Sequence, residues 1–383
     1  MQKLLYISRL NADNPKHLGT LKKVRGMCGG FSDSYYVYLE YECGGMSVVE
    51  ELLPQNKAIE KAYRGLGSRT RFYKDIFDWI CKNGISIVYI RFDHLDNVML
   101  GFFRKLKSRG VKIYLELPTF PYAGERDKRH RDMLKKGKIP QYMIKRILAK
   151  QEEAHTRSVN KYVEKIITYT YDGTIWNLPS MCIENGVDCS SIKVRDHQND
   201  SEKVIIGCVA NLAKWHAVDR VIEGLKNYYA QPSVRPVEFW IVGEGSETAF
   251  VKSLVEKYNL SDHVIFKGAM SGESLEKVLN EIDIGVGTLG LYRIGLPWGS
   301  TLKSKEYCAA GLPFFYSSRE KALTGYEPFA LKFEDNDSPI DINAVVEFAL
   351  KVRNDIQLRK EMREKAEREY DWKSLTKKIL EKT

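Results

Sequence analysis

Residues 299–313 carry the densest chemistry in the chain: Gly299-Ser300-Thr301, then Lys303 and Glu306, then Gly311-Leu312-Pro313. Ser300 or Thr301 can cap a helix, because a short hydroxyl satisfies an orphan backbone N–H. Gly311 and Pro313 supply the stop, and Phe314-Phe315-Tyr316 reads as a buried strand. The free N–H groups and dipole at such a helix start favour an anion. Lys303 adds a point charge one turn in, and Glu306 lies three residues on, on the same face. A cation and a carboxylate stacked behind a helix N-terminus suit a nucleoside diphosphate, with phosphates on the Lys and N–H groups and ribose hydroxyls on the Glu. The same spacing also suits a surface ion pair on an ordinary helix.

The elements that would position these groups are strands alternating with helices. Strands are expected at 3–8, 35–39, 85–90, 111–116 and 165–169, with helices at 20–27, 69–83 and 98–109. The pattern repeats from residue 203 and implies an α/β fold with parallel sheets. In such sheets ligands sit beyond the carboxyl ends of strands. Arg91 and Glu116 stand at two of those ends, and either serve a site or pair with each other. Gly19 and Lys22 follow the first strand, where a glycine allows close approach to a phosphate or sugar. In the second half, Gly243-Glu244-Gly245 closes a strand before a helix, and again lets a ligand come close.

The segment 299–313 resembles the donor-binding stretch of sugar-nucleotide glycosyltransferases of the GT-B type, family 4-like, where a Glu precedes an Ala-Gly-x-Pro turn. Glu306 stands for the second Glu of their Glu-x7-Glu pattern, and Trp298 replaces the first. Residues 210–220 resemble the segment whose Arg and Lys grip the donor diphosphate. Asn211 and His216 occupy those two places, Asp219 keeps the last one, and Lys214, His216 and Lys303 can share the cationic role. Glu184-Asn185-Gly186-Val187-Asp188 resembles the hinge between the two halves.

The resemblance implies two Rossmann-like doubly wound domains facing each other across a cleft. Residues 1–188 would bind the acceptor and 203–365 the donor, with a closing helix at 366–383 packing back on the first domain. It implies transfer of a sugar from a nucleotide donor, UDP before GDP, to a glycan or lipid-linked acceptor in cell-surface polysaccharide assembly. Retention of configuration without a metal is expected. Arg91 falls where retaining members carry a His near the sugar, and Glu116 and Glu125 are the candidate bases. Donor contacts are expected from Gly19, Asn211, Lys214, His216, Gly243, Glu244, Ser300, Thr301, Lys303 and Glu306. A non-catalytic GT-B subunit and a sugar-nucleotide epimerase are the alternative readings.

Composition sets further bounds. The chain has 383 residues and a formal net charge of +10, which points to an acidic partner. Residues 125–150 interleave Lys and Arg with apolar residues, as an anionic membrane surface would require. Nucleic acid is not expected, because no aromatic stacking platform accompanies the charge. The seven cysteines lie at 28, 43, 81, 182, 189, 208 and 308, without metal-ligand spacing, and suit a reducing cytosol. No run is apolar enough to span a membrane, so a cytoplasmic enzyme, peripheral on the inner membrane face, is expected. Gly285-x-Gly287-x-x-Gly290 and Asp335-Asn336-Asp337 imitate a dinucleotide fingerprint and a metal-binding Asp-x-Asp. Both are read as loops.

Overall fold

A computed structural model describes residues 1–52, 55–62, 68–118, 120, 137, 139–169, 173–196, 198–296 and 298–380. It divides into one unit of residues 1–183 and 372–383 and a second of 184–371.

The first unit is built on a nine-stranded sheet of order β4-β3-β2-β1-β5-β6-β7-β9-β8. Its central strands are β1 (Gln2–Asn11), β5 (Ile87–Arg91), β6 (Lys112–Leu117) and β7 (Lys165–Thr168), all parallel. β2 (Tyr35–Cys43) lies parallel to β1, and β3 (Met46–Leu52) and β4 (Gln55–Ala62) continue it as antiparallel hairpins. β8 (Gly173–Ile175) and β9 (Leu178–Cys182) finish the other edge. Helix α1 (Pro15–Phe31) packs on one face with α11 (Trp372–Leu380). α2 (Ser68–Asn83) and α3 (Asn97–Ser108) cover the other. The connections out of β1 and β5 therefore leave on opposite faces, and the strand order reverses between them. α1 opens at Pro15, whose fixed φ suits a first helical turn, so Gly19 lies inside the helix rather than at its start.

The second unit holds a six-stranded, wholly parallel sheet of order β12-β11-β10-β13-β14-β15. These are β10 (Val204–Val209), β11 (Val237–Val242), β12 (Val264–Gly268), β13 (Ile284–Val286), β14 (Phe314–Tyr316) and β15 (Ala330–Lys332). α5 (Asp219–Tyr229), α6 (Thr248–Lys257) and α9 (Ile342–Val352) pack on one face. α7 (Gly272–Glu281), α8 (Leu302–Ala310) and α10 (Ile356–Glu369) pack on the other. This is the doubly wound order, with its switch point between β10 and β13.

Two boundaries differ from the sequence reading. Residues 189–202, which fall between the two expected domains, belong to the second unit. Arg363 donates to the carbonyls of Cys189, Ile192 and Ala309, and Asn199 Nδ2 meets both oxygens of buried Asp283 at 3.0 and 2.9 Å. The expected closing helix at 366–383 takes in the last residues of α10 and then α11, and only α11 belongs to the first unit. There Gly26 and Gly30 of α1 let it approach. A Cβ on Gly30 would stand 2.5 Å from the Trp372 carbonyl oxygen.

Candidate functional site

α8 starts beside the second switch point. Thr301 is its N-cap, with extended backbone (φ −82°, ψ 143°), but its side chain does not cap the helix. The hydroxyl donates instead to Glu320 Oε1 at 2.6 Å, and the Ser304 hydroxyl reaches Glu320 Oε2. The Ser300 hydroxyl donates to Glu184 and accepts from the Asn185 N–H at 2.8 Å. Beneath them Lys305, fully buried, sets Nζ 3.1 Å from the Thr301 carbonyl and 3.2 Å from Glu184 Oε2. Both predicted hydroxyls therefore fasten the loop before α8, and the first N–H groups of the helix keep no side-chain cap. Glu184, Lys305 and Glu320 carry this arrangement. Sequence reading missed their part in it, since residues 184 and 320 meet residue 305 only in the fold.

Lys303 crosses the switch point. Its half-buried side chain puts Nζ 3.4 Å from the carbonyls of Val286 and Gly287 at the end of β13, and 4.0 Å from the Cys208 thiol of β10. Burial lowers its pKa. Glu306 lies one turn on, half-buried.

His216 enters from the β10–α5 loop. Its Nδ1 accepts the Ala213 N–H at 3.0 Å, closing a short turn that Ala217 ends in the left-handed region at φ 47°. Burial, then the charge of Lys303, pushes the imidazole pKa down to about 3. With Nδ1 accepting, the neutral ring carries its proton on Nε2, so His216 is a neutral donor rather than a second cation. Asn211 and Lys214 are exposed on the same loop.

Gly243 and Gly245 have a different reason to be glycine than expected. A Cβ on Gly243, at φ 113°, would meet the Ala210 carbonyl at 2.1 Å, and one on Gly245 the Leu212 carbonyl at 2.1 Å. The close approach they permit is to the neighbouring loop of the protein. Glu244 is exposed between them, with its carbonyl accepting the Leu212 N–H at 3.2 Å. Thus Lys303, His216 and the α8 terminus converge, Asn211, Lys214, Gly243 and Glu244 ring the ends of β10 and β11, and Gly19 stands in the other unit.

The two imitation motifs are structural. Arg293 takes Asp337 and binds Asp219 through two bonds at 2.7 and 2.8 Å, while Asn336 accepts the Ser338 N–H. Gly285 and Gly290 make room for Tyr307 and Ala217. Asp219 thus positions the start of α5 through Arg293.

In the first unit, Arg91 and Glu116 face each other in register across β5 and β6. Glu116 is fully buried. Its Oε1 takes Arg91 Nη1 at 2.5 Å and its Oε2 takes the Tyr6 hydroxyl. The carboxylate is sealed in a salt bridge, the alternative that the sequence left open, and is in no position to take a proton from a substrate. Arg91 keeps about a sixth of its side-chain surface, at 16%. Glu125 lies outside the described residues.

Residues 191–369 match the model of a family described as glycosyl transferases group 1. The match falls within the second unit and covers a little under half of the chain. No curated protein matches the sequence. Among solved structures, a sucrose-phosphate synthase from Thermosynechococcus elongatus is similar at 12% identity, over 99% of this chain and 97% of that one, with a TM-score of 0.60. A glycosyltransferase from Rickettsia africae is similar at 10% identity, over 99% and 97%, with a TM-score of 0.63. Anabaena HepE in complex with UDP-glucose is similar at 13% identity, over 99% and 98%, with a TM-score of 0.58. At these identities the likeness establishes the fold, and that fold is GT-B.

Proposed function

We propose that the glycosyltransferase domain holds a nucleotide-sugar donor, a UDP-sugar before a GDP-sugar, and that the protein transfers the sugar to a glycan or lipid-linked acceptor. One observation carries this: Lys303 Nζ sits across the ends of β10 and β13, at the switch point, beside an α8 terminus without a side-chain cap. A diphosphate leaving group gains charge as its bond to the sugar breaks, and fixed donors must meet that charge. Lys303 supplies the cation, the α8 N–H groups and His216 Nε2–H supply neutral donors, and Glu306 accepts from the ribose. HepE, described in complex with UDP and UDP-glucose, supports a uridine nucleotide. With Glu116 sealed, the leaving phosphate itself is the acceptor for the incoming hydroxyl proton, which fits transfer with retention. That route calls for no metal.

The acceptor side belongs to the first unit, in cell-surface polysaccharide assembly. Helix α4 (Ile139–Thr156) supports a lipid-linked acceptor. Ile139, Met143, Ile144 and Ile147 are more than half exposed on it, at 59, 54, 57 and 57%, beside Lys145, Arg146 and Lys150. Such a face suits an anionic bilayer surface. A second reading, a non-catalytic GT-B subunit, is favoured by the sealing of Glu116. Thermal denaturation with UDP, GDP and ADP decides between them. The enzyme reading expects a rise in midpoint with one nucleotide, and no rise with any leaves the subunit reading.

A further inference from the structure

The first unit has a switch point of its own, between β1 and β5, where the described residues gather more cations than carboxylates. Tyr6 and Tyr89 pair across it and stack at 4.9 Å. Glu116 is already taken by Arg91 and Tyr6. Lys23 reaches in from α1, and its Nζ rests 3.3 Å from the centroid of the Tyr169 ring. Among the described residues Lys23 has no carboxylate within ion-pair distance. Arg25, on the same helix, is held by Glu50 at 2.9 Å. Among the described residues, Lys23 and Arg91 thus share one carboxylate, Glu116. The Tyr89 hydroxyl, on a residue 0% exposed, is buried without a hydrogen-bond partner, and the Tyr169 hydroxyl, on a residue 4% exposed, faces the Glu116 carboxylate that Arg91 and Tyr6 already occupy. A buried donor left unmade is a cost that a bound acceptor would relieve.

We infer that this switch point is an oxyanion site, in which Lys23, Arg91 and the Tyr169 hydroxyl hold a phosphate-type group of the acceptor. The inference rests on the reading that the first unit receives the acceptor. An oxyanion here would offset the second cation and give the Tyr169 hydroxyl an acceptor that it does not share with Arg91 and Tyr6. Arg91 reaches the surface, and Lys23 is half-buried rather than sealed, so the group has a way in. The titration of Lys23 agrees. Burial, set against the pull of Glu116 and helped by the charge of Arg91, lowers its pKa to about 7. The other titratable groups facing it, Tyr6, Tyr89 and Tyr169, stay neutral, their pKa values raised by burial. A bound oxyanion favours the protonated amine, so binding above pH 7 takes up a proton.

The test is calorimetric titration of sodium phosphate into Lys303→Met protein, whose donor-side cation is gone, at pH 6 and pH 8. Binding is expected to persist, with proton uptake at pH 8 read from buffers of different ionisation enthalpy. Adding Lys23→Met should weaken it about tenfold, the share of one charge-assisted hydrogen bond. Adding Lys23→Arg should keep the binding and abolish the proton uptake, and shows that loss in the Met variant is not loss of fold. Vesicles of phosphatidic acid form a second arm. A Lys23-dependent response to vesicles alone assigns the group to a lipid headgroup, and a response to phosphate assigns it to a free or glycan phosphate. Equal binding with and without the Lys23 amine, or no binding of either probe to Lys303→Met protein, overturns the inference. UDP binding to the wild-type protein is measured separately, so failure here leaves the donor reading standing.

Discussion

At the scale of single residues, the site turns on which groups carry charge. His216 occupies a place where the resembled family carries a Lys, yet it is no substitute cation. Its pKa near 3 keeps it neutral at physiological pH, so nucleotide affinity should show no histidine titration between pH 5 and pH 8. Folding stability should show one. The folded pKa lies below the unfolded value of about 6.5, so the contribution is complete above that pH and is lost as pH falls toward 3. By pH 5 that loss amounts to about 2 kcal/mol, and His216→Asn should remove that part of the acid sensitivity of the urea midpoint. Ser300 and Thr301 were legible as polar residues at a helix start. Their partners were not, because Glu184 and Glu320 come from remote segments. Arg91 and Glu116 show the same limit. Their places at strand ends could be read, but only cross-strand register shows that they neutralise each other.

At the scale of elements, the sequence was read most accurately where propensity and punctuation agree. α8 ends at Ala310 with Gly311 left-handed at φ 66°, as the Gly-x-Pro signal predicts. β14 follows where three aromatic residues are buried. The reading failed at β4, which a polar sequence does not announce, and at α1, where the Asn-Pro start was passed over for a later glycine. It also failed where side chains replace local pattern: arginines bonded to carbonyls tie residues 189–202 to the second unit. Glycines at helix contacts give a direct test of the packing. A Cβ on Gly224 of α5 would stand 2.1 Å from the Ile340 carbonyl, a backbone atom that cannot swing aside. Gly224→Ala should therefore lower stability by about 1–3 kcal/mol despite its better helix propensity, measured by urea denaturation. Gly19→Ala, with nothing within 4 Å of the new methyl group, should be neutral or slightly stabilising.

At the scale of the molecule, two sheets each have a switch point, and the proposed function gives the nucleotide to one and the acceptor to the other. The alternation of strands and helices made this architecture legible, and the resemblance in residues 299–313 named it. Part of the positive charge lies on α4 as Lys145, Arg146 and Lys150, beside exposed apolar residues. Wild-type protein should sediment with phosphatidylglycerol vesicles at low salt and less at high salt, as screening demands. Ile144→Asp with Ile147→Asp should abolish the association while leaving nucleotide binding unchanged, since both side chains lie on an exposed face of the other unit. The central claim remains the donor site at the second switch point. Its most direct measurement is calorimetric titration of UDP into wild-type and Lys303→Met protein. The account predicts binding to the wild type and a loss of about 2 kcal/mol, about thirtyfold, without the ammonium. Equal affinity in the two proteins, or no UDP binding to the wild type, would contradict it.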